Sequence, residues 1–325
     1  MDSFSSIWYG RCEPDEPPGG GRWHQKIQPW TQGVASGVAS DVTPGIVVLG
    51  FAVDEGVRRN EGRVGAADGP RAIRSILRNL PCQDEGPLWD AGDIACPAGD
   101  LESAQGELAE QLSQVLTVGG KPIVLGGGHE VAWGSFQGLE PSWKSDESLL
   151  VVNFDAHFDL RATEPGNSGT CFFQMHDRCR AVGKRFQYAA FGISRFANTR
   201  GLFARATQLQ VPYVLDEQLQ AETHLAGAKL RLSQLLAAHD RVYLTICLDV
   251  LPAAVAPGVS APAGLGVPLA ILEPLIELIA DSGKLVLADI AELNPLFDRD
   301  HQTARVAARL VARLARSWQT RPADR

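Results

Sequence analysis

The chain has 325 residues, 45% of them hydrophobic and 21% charged, with a net charge of −8 and a pI near 5.4. That length can bury a large core in one α/β domain, and the composition is that of an ordinary soluble globular protein. The acidic balance argues against nucleic acid or an anionic membrane as partner; an anionic small molecule would need cations supplied locally.

The opening residues Met1 to Ser6 hold no basic region leading into an apolar stretch, so no secretory signal is expected. No run reaches the roughly 18 apolar residues of a membrane span. Six cysteines (Cys12, Cys82, Cys96, Cys171, Cys179, Cys247) are scattered without a C-x-x-C pair, which points to reduced thiols in the cytoplasm. Residues 1–44 are rich in Gly and Pro yet carry Trp8, Tyr9, Trp23 and Trp30. This reads as an irregular arm pinned to the main body, residues 45–325. Apolar runs then read as buried strands at 46–51, 122–125, 149–154, 188–191, 211–215, 242–248 and 285–288. Helical periodicity fits between them, for example at 69–79, 101–116 and 269–280, and again at about 301–318. Continuous apolar strands alternating with helices predict an α/β fold with a parallel sheet covered on both faces, as one domain.

Four of these strands run into polar residues. One leads into Gly126-Gly127-Gly128-His129-Glu130 and another into Asp155, His157 and Asp159. The third ends at Asp249, and the fourth at Asp289-Ile290-Ala291-Glu292. Residues two apart in extended chain point the same way, so Asp155, His157 and Asp159 converge. Oxygen donors with imidazole suit Mn²⁺, Fe²⁺ or Zn²⁺; taken alone, the triplet reads equally as a solvated strand end. In open α/β sheets ligands bind beyond the carboxyl ends of the strands, so the four endings can form one site. Val131 stands where a dinucleotide fingerprint needs its third glycine, and the Gly-Lys-[Ser/Thr] ending of a P-loop is missing, which argues against a nucleotide.

Gly-Gly-x-His, Asp-Ala-His-x-Asp, a later strand ending in Asp249, and Glu292 within Asp-Ile-Ala-Glu-Leu-Asn-Pro resemble the ureohydrolases, the arginase and agmatinase family. Within it the chain most resembles the formimidoylglutamase subfamily. The subfamily segments include Trp8-Tyr9-Gly10-Arg11, Arg58-Arg59-Asn60-Glu61-Gly62-Arg63, Asp159-Leu160-Arg161, Asn167-Ser168-Gly169-Thr170 and Ser194-Arg195-Phe196-Ala197-Asn198-Thr199. The resemblance implies a three-layer α/β/α fold with a mostly parallel sheet and two Mn²⁺ ions. It carries the metal ligands onto His129, Asp155, His157, Asp159 and Asp249. It implies that Glu292 engages amidine nitrogens; the chemistry of the departing nitrogen makes Asp159 a candidate proton donor. Arg161, Ser168, Arg195 and Asn198 are candidates for binding substrate. The activity implied is hydrolysis of N-formimidoyl-L-glutamate to L-glutamate and formamide. Metal would lower water's pKa towards about 7 and make hydroxide available.

Three departures stand out. Gly128 occupies a place commonly held by Asp, and Cys171 one often held by Pro. The family's Asp-x-Asp here reads Cys247-Leu248-Asp249, which puts a thiol at a usual ligand position, casts doubt on the second Mn²⁺ and admits Zn²⁺. Alternatives are a guanidinobutyrate- or agmatine-type substrate, or a paralogue that binds without turnover. Self-association of the chain is left open.

Overall fold

Seven of the strands are the apolar runs just named, and their side chains explain the layering. A computed structural model describes residues 3–15, 21–31, 45–82 and 86–319. Residues 17–20 of the Gly/Pro run and 32–44 of the expected arm lie outside them. In chain order the strands are β1 (Gln28–Pro29), β2 (Ile46–Ala52), β3 (Leu88–Ala95), β4 (Lys121–Leu125), β5 (Leu149–Phe154), β6 (Tyr188–Ile193), β7 (Tyr213–Leu215), β8 (Arg241–Cys247) and β9 (Leu285–Ala291). Among the described residues they form one sheet in the order β1-β3-β2-β4-β9-β8-β5-β6-β7, and every pairing is parallel.

Because successive side chains alternate across a strand, each run feeds two cores. Ile46 and Val48 of β2 join one apolar cluster, and Val47, Leu49 and Phe51 join the other. Leu150 and Val152 of β5 likewise face away from Leu149 and Val151. Helices Gly69–Leu77, Glu222–Ala237, Leu269–Ala280 and Gln302–Gln319 cover the first face; Leu101–Thr117, Val131–Leu139, Cys171–Ala181 and Arg200–Gln208 cover the second. This is the three-layer α/β/α arrangement the apolar runs predict. Truncating a fully buried Leu such as Leu244 to Ala costs about 2–5 kcal/mol. No helix among the described residues is long and apolar enough to cross a membrane.

Helix ends follow local chemistry. The Asp100 carboxylate accepts from the Ser103 amide at 3.1 Å and starts Leu101–Thr117. Pro70 sits in the first turn of Gly69–Leu77, where its missing N–H costs nothing. The Asp298 carboxylate caps the last helix through the Thr303 and Ala304 amides, at 2.7 and 2.9 Å. Of the N-terminal residues, Trp8, Trp23 and Ile27 are buried in the first cluster, and Trp8 Nε1 donates to Asp90 at 2.5 Å.

Two differences from the sequence reading have physical causes. β3 is absent from the apolar runs because Asp90, Gly92 and Asp93 interrupt it. The fully buried Arg74 guanidinium makes that strand tolerable: it pairs with Asp90 at 2.8 Å and with Asp93, and donates to the Gly92 carbonyl at 3.0 Å. β9 is three residues longer than its apolar run. Asp289 therefore lies inside the strand, fully buried and bonded to the Tyr243 hydroxyl, rather than at the sheet edge.

Candidate active site and metal centre

The four strands with polar endings, β4, β9, β8 and β5, are neighbours at the centre of the sheet. Their carboxyl ends therefore meet at one place, although His129 and Glu292 are 163 residues apart in sequence. The turn after β4 presses against the end of β2. A Cβ on Gly127 would lie 1.8 Å from the Val53 carbonyl oxygen, so only glycine fits there. A Cβ on Gly128 would lie 2.1 Å from Glu130 Oε2. The Glu130 carboxylate thus fills the space a side chain at 128 would take, which explains that departure. The Gly127 carbonyl accepts from the Glu292 amide at 2.7 Å, and Glu292 Oε1 accepts from the His129 amide at 2.9 Å. Asp159 and Glu292 both have left-handed backbone, with φ of 46° and 74°. Such strain in non-glycine residues persists only where surroundings enforce it, and it concentrates at functional sites.

His129 is 1% exposed. Its Nε2 lies 2.9 Å from Thr245 Oγ1, and its Nδ1 lies 3.0 Å from both Asp155 Oδ2 and Asp159 Oδ2. Two carboxylates crowded on one imidazole nitrogen need positive charge between them, which a proton or a bound cation supplies. His157 Nδ1 lies 3.1 Å from Asp249 Oδ2 and 3.4 Å from Asp155 Oδ1. Asp155 is held by the Asn153 amide at 3.1 Å and the His157 backbone at 2.6 Å. Among the described residues two groups could each hold an ion, His129 with Asp155 and Cys247, and Asp155 with His157 and Asp249; within each, the ligand atoms all lie within 4.8 Å of one another. Asp155 belongs to both.

The electrostatics give the same reading. Burial, joined by the charge of Asp155, raises the pKa of Asp159 and of Asp249. Burial, with Glu130 and Asp249 nearby, pushes Glu292 up to about 8. Burial would also raise Asp155, but hydrogen bonds from His129 and His157 overwhelm it and hold that carboxyl well below its usual range. Burial disfavours the imidazolium of His157, yet the Asp249 charge raises it; at His129, Asp155 and Asp159 do the same. So many acids in one dry place repel each other until positive charge is supplied. The oxygen and nitrogen donors suit a divalent ion such as Mn²⁺.

Above the cluster opens a polar cavity of about 330 Å³. Its floor is His129, His157, Asp159, Cys247, Asp249 and Glu292, and its walls include Asn60, Arg63, Arg161, Ser168 and Ser260. Arg161 Nη1 donates to Asn60 Oδ1 at 3.2 Å, and Arg161 has no acidic partner among the described residues. Arg63 donates from Nε to the Ser260 carbonyl at 2.8 Å and lies over the Phe297 ring at 4.1 Å. Arg58 and Arg59 instead pair with Glu55 and Glu102, which fixes their loop. Arg195 and Asn198 lie outside the cavity lining. Arg195 is 3.4 Å from Glu217 on the exposed surface. The Asn198 amide is spent on backbone, accepting from the Phe158 amide and donating to the Ala156 and Ser194 carbonyls. The sequence reading did not single out Thr245, Asn153, Asn60 or Ser260. Thr245 had a signal, since it sits two residues before Cys247 on the same face of β8; Asn60 and Ser260 stand on loops, where no periodicity marks them.

Residues 44–316 match the family model described as the arginase family. The formimidoylglutamase of Aeromonas hydrophila is 50% identical over 319 residues, spanning 97% of this chain and 99% of the relative. Among solved structures, a Trypanosoma cruzi formiminoglutamase with Mn²⁺ is 27% identical with a TM-score of 0.77, covering 86% of this chain and 95% of that one. The formimidoylglutamase of Bacillus subtilis shares the fold at a TM-score of 0.81 and 20% identity, over 99% of this chain and all of that one. Shared fold, matched length and a cation-ready cluster at the sheet edge lead to one statement: this chain belongs to the arginase family.

Proposed function

We propose that the protein hydrolyses N-formimidoyl-L-glutamate to L-glutamate and formamide. The observation that carries the substrate class is the pairing of an acidic, cation-ready floor with Arg161, a wall guanidinium lacking an acidic partner among the described residues. Half-identity with a formimidoylglutamase across nearly the whole chain supports the same reading. A cationic substrate of the agmatine type would be repelled by Arg161, whereas a dicarboxylate finds its counter-charge there.

His129, Asp155, His157, Asp159 and Asp249 would hold the metal, two Mn²⁺ in our reading, with the Cys247 thiol facing the same place and leaving one position weak. Divalent cations held there supply Lewis acidity and lower the pKa of water towards about 7. The chain's own groups do the rest. Arg161 binds a carboxylate as a bidentate fork, with Ser168 beside it. Glu292, fixed by the His129 amide, orients the amidine nitrogens. Oxygen from water bonds to the formimidoyl carbon, the bond from that carbon to the glutamate nitrogen breaks, and formamide keeps the other nitrogen. Asp159, on the cavity floor beside the cation cluster, delivers the proton that the departing nitrogen needs. The six free thiols support a reducing, cytoplasmic setting.

The test is formamide release combined with metal analysis of the purified protein. Turnover of formimidoylglutamate that is lost on chelation and restored by Mn²⁺ is expected. A metal-loaded protein that splits agmatine or guanidinobutyrate instead would overturn the substrate, and one that binds formimidoylglutamate without turnover would leave a binding protein.

A further inference from the structure

The wall of the cavity contains a connected set of hydrogen bonds. Asn60 follows the short helix Glu55–Arg59. Its Oδ1 accepts from Arg161 Nη1 at 3.2 Å, while its Nδ2 donates to Ser168 Oγ at 3.1 Å. A guanidinium can only donate, so the amide must turn its carbonyl end to Arg161, and the Ser168 hydroxyl accepts from the other end. The Ser168 amide in turn donates to the Gly56 carbonyl at 3.2 Å, and the Gly56 amide donates to Glu130 Oε1 at 2.8 Å. Glu130 is 1% exposed and adjoins His129, so the wall is tied to the turn that presents the floor.

We propose that Asn60 is a positioning residue that holds the Arg161 guanidinium over the cavity through a neutral acceptor, leaving its charge for a substrate carboxylate. This rests on the reading of Arg161 given above. An exposed arginine loses rotamer entropy when it is fixed, and a contact made beforehand lessens what binding must freeze out. The acceptor has to be uncharged. An acid at the same place would form a charge-assisted pair with Arg161 and compete with the substrate for the same donors. Glu61, the neighbouring acid on the rim, makes no ion pair with Arg161.

The experiment compares Asn60→Asp with Asn60→Ala in the Mn²⁺-loaded enzyme, with metal content and Tm recorded for each. Substrates are N-formimidoyl-L-glutamate, 4-(formimidoylamino)butanoate, which lacks the α-carboxylate, and N-formimidoyl-2-aminobutanoate, which lacks the side-chain carboxylate. Asn60→Asp is expected to raise KM for formimidoylglutamate about tenfold or more, the scale of one charge-assisted contact. Its kcat and metal content should stay near wild type, and Asn60→Ala should raise KM only a few-fold. One of the two analogues, the one lacking the carboxylate that Arg161 reads, should escape the extra penalty of Asp over Ala. Should Asn60→Asp fold poorly, Asn60→Ala alone still tests the contact: its few-fold rise in KM, with kcat retained, should be absent for that analogue. An Asp variant no worse than Ala, or a penalty equal for all three substrates, would overturn the proposal alone. No wild-type turnover of formimidoylglutamate would overturn the activity reading and this proposal with it.

Discussion

Replacing Cys247 with Asp probes the proposed metal centre at the position where its residues depart from the Asp-x-Asp pattern. Cys247 is 1% exposed, and its sulfur lies within 4.8 Å of ligand atoms on His129 and Asp155. Burial, then the charges of Asp155, Asp249 and Glu292, push its thiol pKa well up, so a neutral sulfur stands where the family has a carboxylate. Two opposite unit charges about 4 Å apart attract by about 4 kcal/mol at an effective dielectric near 20. Desolvation cancels part of this. A net gain of about 2.7 kcal/mol makes Mn²⁺ bind about 100-fold tighter and adds the same amount to the stabilisation that saturating metal gives over the metal-free protein. For a chain of 325 residues that is about 4 °C in Tm. Without metal the sign reverses, because another buried carboxylate joins acids that already repel. The assay is a pair of thermal melts, after chelator and with saturating Mn²⁺, alongside the Mn²⁺ concentration giving half-maximal rate. Expected are a lower Tm without metal, a larger rise with it, and a lower half-maximal concentration. A thiolate bound to Zn²⁺ would instead show weaker Zn²⁺ binding in the Asp variant. No change in stoichiometry, metal dependence or either melt would refute the placement of Cys247 beside the ion.

His129→Ala and Asp155→Ala should lower metal content and hydrolysis by orders of magnitude, read by metal analysis and formamide release. Asp155→Ala should have the larger effect on stoichiometry, since Asp155 belongs to both ligand groups. Arg161→Lys should raise KM for formimidoylglutamate while metal content stays the same, because an ammonium cannot reproduce a bidentate fork; an unchanged KM would make Arg161 structural. Arg74→Met leaves Asp90 buried without its cation. It should cost about 3–5 kcal/mol, roughly 4–7 °C in Tm, measured by thermal denaturation of the metal-loaded protein.

The site's floor was legible because its residues sit where apolar runs stop. His129, Asp155 and Asp249 each follow a strand whose two faces are buried, so the change to polar side chains marks the sheet edge. The walls were harder to read. Asn60 and Ser260 come from loops whose positions depend on contacts such as Arg63 with Ser260, 197 residues away. Asn198 looks like a binding residue by its segment, but its amide is used to join two loops. β3 was hidden because a strand containing Asp90 and Asp93 is stable only with Arg74 beside it, and that partner lies on a different element.

The position of β9 has a consequence for how the molecule is made. It is the last strand in sequence, yet it lies between β4 and β8 at the middle of the sheet. Until residue 291 has been synthesised, the two halves of the sheet have no bridge between them. Each half then exposes an inner edge of unpaired backbone flanked by apolar side chains such as Ile123, Val124, Leu244 and Ile246. Such edges are templates for pairing with other chains. A ribosome-bound chain stalled before β9 would be a strong target for chaperones and would lack a formed metal centre, because Glu292 and the backbone that braces the His129 turn arrive last.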